Sequence, residues 1–152
     1  MKDNKYRVVI DTNIFIYGWF GDHPACDKIL DLVDNREIQL LFSQETIGEL
    51  VYITKNFAQH NLQSSSDQIA ALQLIMILFH HGLSVNTLYV DSPSLHDPQD
   101  EKFLKCALKG KADFLITDDF KHGMKDIGSI KIVSSDEFIR IYECSRFNHV
   151  VS

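Results

Sequence analysis

The sequence has few cysteines, no surplus of positive charge and no long apolar run, and each shortage narrows what the chain can be. Cys26, Cys106 and Cys144 are odd in number and widely spaced. They match no zinc-binding spacing, so free, buried thiols in a reducing cytoplasm are expected. No stretch approaches the roughly 18 apolar residues of a membrane helix. Met1-Lys2-Asp3-Asn4-Lys5 leads straight into a strand pattern, so no signal peptide is expected and the location expected is cytoplasmic. Repeats and low-complexity tracts are also missing. The formal net charge of -6 argues, taken alone, against a nucleic-acid partner. Its distribution softens that argument. Acids outnumber bases from Asp22 to Asp67, whereas residues 98–131 carry a full complement of lysines, among them Lys102, Lys105 and Lys109. Neutralising some acids with metal would turn that second region basic.

What is present suits one folded unit spanning residues 1–152 with a sizeable core. Tyr6-Arg7-Val8-Val9-Ile10 is a short β-branched run that reads as a buried strand, and it stops on Asp11, Thr12 and Asn13. Residues 12–20 begin a helix that ends near Gly18 or Gly21. Pro24 opens a second helix at its first turn. Residues 38–42 read as strand two, and Ser43 caps a helix over about 44–58 with Thr46, Glu49, Leu50, Ile53 and Phe57 on its buried face. A helix over about 67–81 carries Ile69, Leu72, Ile75, Met76 and Phe79 on one side and is apolar nearly all round, which predicts a deep core helix or a dimer face. Residues 83–90 hold strand three. Asp97 and Pro98 start a helix that Gly110 ends. Residues 113–117 and 130–133 are strands four and five, and residues 134–142 a last short helix. Strands alternating with helices predict an α/β fold with a parallel sheet covered on both faces.

Strands one and four both end on carboxylates. In open α/β sheets ligands bind beyond the carboxyl ends of the strands, so Asp11 stands where a ligand would. A helix N-cap is the simpler use of that aspartate. Glu49 interrupts an apolar helical stripe, and a glutamate there is either paired or snorkels to water. Asp100 follows the capping position by three residues but also points along the face of Leu104 and Ala107. Asp119 follows strand four, and Asp118 beside it competes for the same role. If strands one and four are neighbours, these acids converge without a basic partner and repel. Mg²⁺ or Mn²⁺, which prefer carboxylate oxygens, would relieve that repulsion. The acid-to-amide variants are then expected to melt no lower than the parent without metal.

Val9-Ile10-Asp11-Thr12-Asn13, Ser43 through Glu49-Leu50, Asp97-Pro98-Gln99-Asp100 with Leu104 and Ala107, and Ala112 through Asp119 occur in an order that resembles the PIN-domain family of nucleases. The subgroup most resembled is the VapC-like bacterial toxins of toxin–antitoxin pairs. The resemblance implies a three-layer α/β/α sandwich with strand order 3-2-1-4-5. It implies a site of Asp11, Glu49, Asp100 and Asp119 holding Mg²⁺ or Mn²⁺, supported by Asn13, Thr117 and Asp97, with Asp119 rather than Asp118 in the motif position. The implied activity is metal-dependent endoribonuclease, with RNA as substrate and an antitoxin protein as partner; the apolar fourth helix adds a homodimer. Tyr17, Trp19 and Phe20 could stack on bases, although core packing is the plainer use. Lys102, Lys105 and Lys109 could track phosphates, although a solvated helix face is the plainer reading. His122 lies near the implied site. A phosphatase with an aspartyl nucleophile and a catalytically silent RNA- or protein-binding module are the competing readings. The first usually has Asp-x-Asp after strand one, where this chain has Asn13.

Overall fold

The computed structural model describes residues 5–91, 98–119 and 126–151. Asp97 and His122 lie outside them. The elements run β1 (Arg7–Ile10), α1 (Thr12–Phe20), α2 (Pro24–Asp34), β2 (Gln39–Phe42), α3 (Gln44–Asn61), α4 (Ser65–His81), β3 (Leu83–Ser84), α5 (Pro98–Gly110), β4 (Phe114–Ile116), β5 (Lys131–Val133) and α6 (Ser135–Val151). The five strands form a parallel sheet in the order β3-β2-β1-β4-β5.

Alternation along the strands builds both faces, because successive side chains point to opposite sides of a sheet. Val8, Ile10, Leu40, Phe114, Ile116 and Val133 pack with α1, α2, α4 and Phe138 of α6 in one core. Val9, Leu41, Leu115 and Ile132 pack with Phe103, Cys106 and Ala107 of α5 in the other. The result is the expected three-layer α/β/α sandwich. β1 lies between β2 and β4, so the chain's connections leave it in opposite directions. The backbone N–H of Asp11 donates to the carbonyl of Ile116 at 2.9 Å, which carries the β1–β4 ladder one residue past both strands. Asp11 and Thr117 therefore begin side by side at the topological switch point.

Several local expectations are corrected. The buried line of α3 is Thr46, Leu50, Thr54 and Ala58, a strict i, i+4 row of mostly small residues; Ile53 and Phe57 are half-buried. Small side chains win that row because α3 packs against both α1 and α4. α4 is not a deep core helix. It buries Ala71, Ile75 and Leu78, while Ile69, Leu72, Met76 and Phe79 are exposed. β3 is an exposed edge strand of two residues, and the chain turns at Tyr89, which has φ 63°. α6 runs to Val151 rather than stopping at Tyr142. There the Tyr142 hydroxyl donates to Glu37 Oε2 at 3.0 Å, and Arg146 reaches Glu37 Oε1 at 3.2 Å, tying an extra turn to the body. Cys26 and Cys106 are buried free thiols, but Cys144 is exposed. Among the described residues no helix is long and apolar enough to cross a membrane.

Candidate functional site

Asp11 occupies the N-cap position of α1, yet its side chain makes no N-cap hydrogen bond, only a contact with the N–H of the adjacent Thr12. The N-cap use is thereby excluded. Asp11 Oδ2 instead accepts from the Thr117 hydroxyl at 2.9 Å. The same hydroxyl accepts from the backbone N–H of Asp119 at 3.1 Å. Thr117 is buried, so one side chain fixes both strand-end acids relative to each other. Burial pushes the Asp11 carboxyl up to about 6; hydrogen bonds from Thr117 and from the Thr12 N–H pull down, and the charges of Glu49 and Asp119 push up again. Those last two effects are the repulsion of like charges near one another.

Glu49 projects from the half-buried edge of α3. Its Oε2 accepts from the buried Thr12 hydroxyl at 2.5 Å, and its Oε1 meets Lys102 Nζ at 2.8 Å. Asp100, half-buried in the first turn of α5, lines one small cleft with Asp11, Phe103, Leu115 and Thr117. The four acids come from the ends of β1 and β4 and from α3 and α5; Asp11 shares its cleft with Asp100, and the charges of Glu49 and Asp119 both act on it. Their oxygens, with that of Thr117, make a donor set of hard ligands only, which fits Mg²⁺ or Mn²⁺.

Two expectations fail here. The acids do not converge without a basic partner: Lys102 pairs with Glu49, and the two side chains are only 16% and 20% exposed. Helical periodicity predicts a solvated face for Lys102, opposite Phe103 and Leu104. Its long stem lets the ammonium reach across to α3 all the same. Asp118 does not compete with Asp119 for the same place. Its Oδ1 accepts from the Ser135 N–H at 2.7 Å and its Oδ2 from the Ser135 hydroxyl at 2.8 Å, at the start of α6.

The remaining candidates separate by packing. Asn13 is exposed on the first turn of α1. Trp19 packs on Phe15, and Phe20 stacks on Phe57 with ring centres 4.7 Å apart, so both serve the interior. Tyr17 is half exposed and stacks on His23. Sequence reasoning missed Thr12 as the partner of Glu49. Its position directly after Asp11 was the available signal. It named Lys102 only as a candidate phosphate contact and missed its pairing with Glu49.

Comparison with known proteins agrees with this fold. Residues 7–121 match the family model described as the PIN domain. No curated protein matches the chain. Among solved structures the fold is similar to the crystal structure of VapBC2 from Rickettsia felis bound to a DNA fragment from their promoter, with a TM-score of 0.57 and 13% identity, covering 84% of this chain and 98% of that one.

Proposed function

The chain belongs to the PIN-domain family, and from that premise we propose that it is a Mg²⁺- or Mn²⁺-dependent endoribonuclease, the toxin of a toxin–antitoxin pair. The observation that supports this most is Asp11: a strand-end carboxyl spent on no cap, held up to about 6 by burial and by its acidic neighbours. Such a group is costly to ionise unless a cation joins it. Asp11, Asp119, Asp100 and Glu49 would hold the ion. When bound, it supplies positive charge against the phosphodiester oxygens and lowers the pKa of the attacking water.

The chain's own residues do the rest. Thr117 orients Asp11 and, by taking the Asp119 N–H, sets the turn that carries the second strand-end acid. Thr12 and Lys102 hold the two oxygens of Glu49. Single-stranded RNA suits a small open cleft because its backbone can bend into it. The test is incubation of the purified chain with labelled RNA and Mn²⁺. Metal-dependent cutting supports the proposal. Phosphate release from small monoesters without cutting supports the phosphatase reading instead. The Lys102–Glu49 pair favours one other reading, a silent binding module whose acids are neutralised from within; retention of RNA without cutting in any divalent metal would establish that.

Metal uptake has an expected pH dependence. Metal and proton compete for the Asp11 carboxyl, which titrates at about 6. Mn²⁺ affinity therefore rises about tenfold per pH unit below that value and levels off above it. Calorimetric titrations between pH 5 and 8 check this, and a flat profile would remove Asp11 from the ligand set.

The antitoxin and the second copy need surfaces. The Rickettsia felis structure is of VapBC2 on promoter DNA, which supports an antitoxin for this chain. Leu72, Met76 and Phe79 present an exposed apolar face on α4, which suits a homodimer. Met76→Glu with Phe79→Glu is expected to convert a dimer to a monomer by light scattering, with the circular dichroism of the folded chain retained. A dimeric variant would place the interface elsewhere.

A further inference from the structure

Helix α2 begins with a cluster that the carboxylate site does not use. His23 is its N-cap residue, and Nδ1 accepts from the Cys26 N–H at 3.4 Å. His23 Nε2 lies 3.6 Å from Asp118 Oδ2, and Cys26 Sγ lies 3.8 Å from the same oxygen. The three ligand atoms lie within 4.8 Å of one another. We propose that His23, Cys26 and Asp118 form a second metal site, suited to Zn²⁺, that joins the start of α2 to the end of β4.

Donor chemistry separates it from the first site. Nitrogen, sulfur and one oxygen favour a borderline-soft ion, where the carboxylate cluster offers oxygen alone. The spacing fits as well. Tetrahedral zinc with its usual bond lengths sets nitrogen–oxygen and sulfur–oxygen edges at about 3.4 and 3.6 Å. The observed distances of 3.6 and 3.8 Å need only a small contraction. The sulfur is fully buried, while the His23 and Asp118 side chains are 35% and 26% exposed. The triangle is therefore closed at its base and open at its rim, leaving an entry path and a fourth position for water.

Outer partners are in place. Ser135 donates to both oxygens of Asp118 and fixes the carboxylate, and Oδ2 keeps a lone pair for a metal. Burial pushes the Cys26 thiol up to about 11, so without metal this sulfur is a protonated, unreactive group. On coordination the thiol proton leaves to solvent. The imidazole must then carry its proton on Nδ1, which gives up the 3.4 Å bond from the Cys26 N–H. That bond is long and weak, so little stands against the exchange. Cys26 and Asp118 are 92 residues apart in sequence, which is why spacing patterns read along the chain do not reveal the site.

Cobalt(II) is the probe, because a thiolate bound to it gives a sulfur-to-metal charge-transfer band in the near ultraviolet. The experiment uses the full chain carrying Cys144→Ser, which removes the exposed thiol. One equivalent of Co²⁺ is expected to develop the band, and one equivalent of Zn²⁺ to bleach it. Asp11→Asn should leave the band intact. Cys26→Ser should abolish it, and Ser135→Ala should weaken binding about tenfold or more. His23→Asn keeps a side chain able to cap α2, so loss of the band in that folded variant tests the ligand role even if Cys26→Ser unfolds. No band in the parent, or an equal band in His23→Asn, would overturn the proposal and leave the cluster as a hydrogen-bonded helix cap.

Discussion

Replacing Asp11 by Asn is expected to lower metal-dependent RNA cleavage by roughly 10³-fold or more while making the metal-free protein more stable. The first effect follows from position. Asp11 shares a cleft with Asp100, is bonded to Thr117 and is acted on by the charges of Glu49 and Asp119. A metal's contribution to phosphodiester hydrolysis is several kcal/mol, and each 1.4 or so is tenfold in rate. The second effect follows from burial. The Asp11 carboxyl is held above its ordinary range, so between about pH 4 and 6 the folded state keeps a proton that the unfolded chain has released. Stability from this group is fully present below that window and is lost as pH rises through about 6. The amide has no such loss. Asp11→Asn should therefore match the parent near pH 4 and exceed it by on the order of 2 kcal/mol above pH 7. Thermal melts across that range, in chelator, check the sign. A variant that melts lower at pH 8 would make Asp11 a structural acid.

Glu49→Gln is expected to move stability the other way. An acid-to-amide change relieves repulsion only where the acid has no cationic partner, and Glu49 has Lys102 at 2.8 Å in a mostly buried pair. The amide gives up the charge that faces Lys102 and weakens the bond from the buried Thr12 hydroxyl. With both side chains still partly hydrated, the loss is about 2 kcal/mol, or about 4–8 °C in melting temperature for a chain of this size. Lys102→Met should cost a similar amount, and the double variant less than the sum, because both single changes remove the same contact. Metal binding splits the two singles. Glu49→Gln removes a ligand and weakens Mn²⁺ binding, whereas Lys102→Met removes a competing cation and tightens it about tenfold. If Lys102→Met weakened Mn²⁺ binding, the lysine would be supporting the ion rather than competing with it.

Much of this was legible because it is local. Strands β1 and β4 are short β-branched or apolar runs that end on acids. Pro24, Ser43 and the polar stretch at Ser64 mark helix starts through bonds made within one turn. Strands alternating with helices predict a parallel sheet, and the resemblance to the family supplies the strand order that makes β1 and β4 neighbours at the switch point. What stayed hidden depends on distant packing. The buried row of α3 was decided by how closely α1 and α4 approach it. The exposed face of α4 has the same composition as a core helix, and only its neighbours tell them apart. Lys102 reaches Glu49 through a flexible stem that periodicity does not register. Asp118 and Asp119 are alike in sequence, yet Ser135 draws one toward α6 while the Thr117 hydroxyl, bonded to Asp11, holds the backbone of the other.

The central claim is that Asp11 and its three acidic neighbours share a hard divalent cation. Electron paramagnetic resonance of Mn²⁺ added to the His23→Asn chain, which lacks a ligand of the other site, tests it most directly. Loss of the free-ion signal at pH 7.5, undone by Asp11→Asn and by lowering the pH to 5, is the predicted result. A free-ion signal that stays unchanged as protein is added would contradict the account.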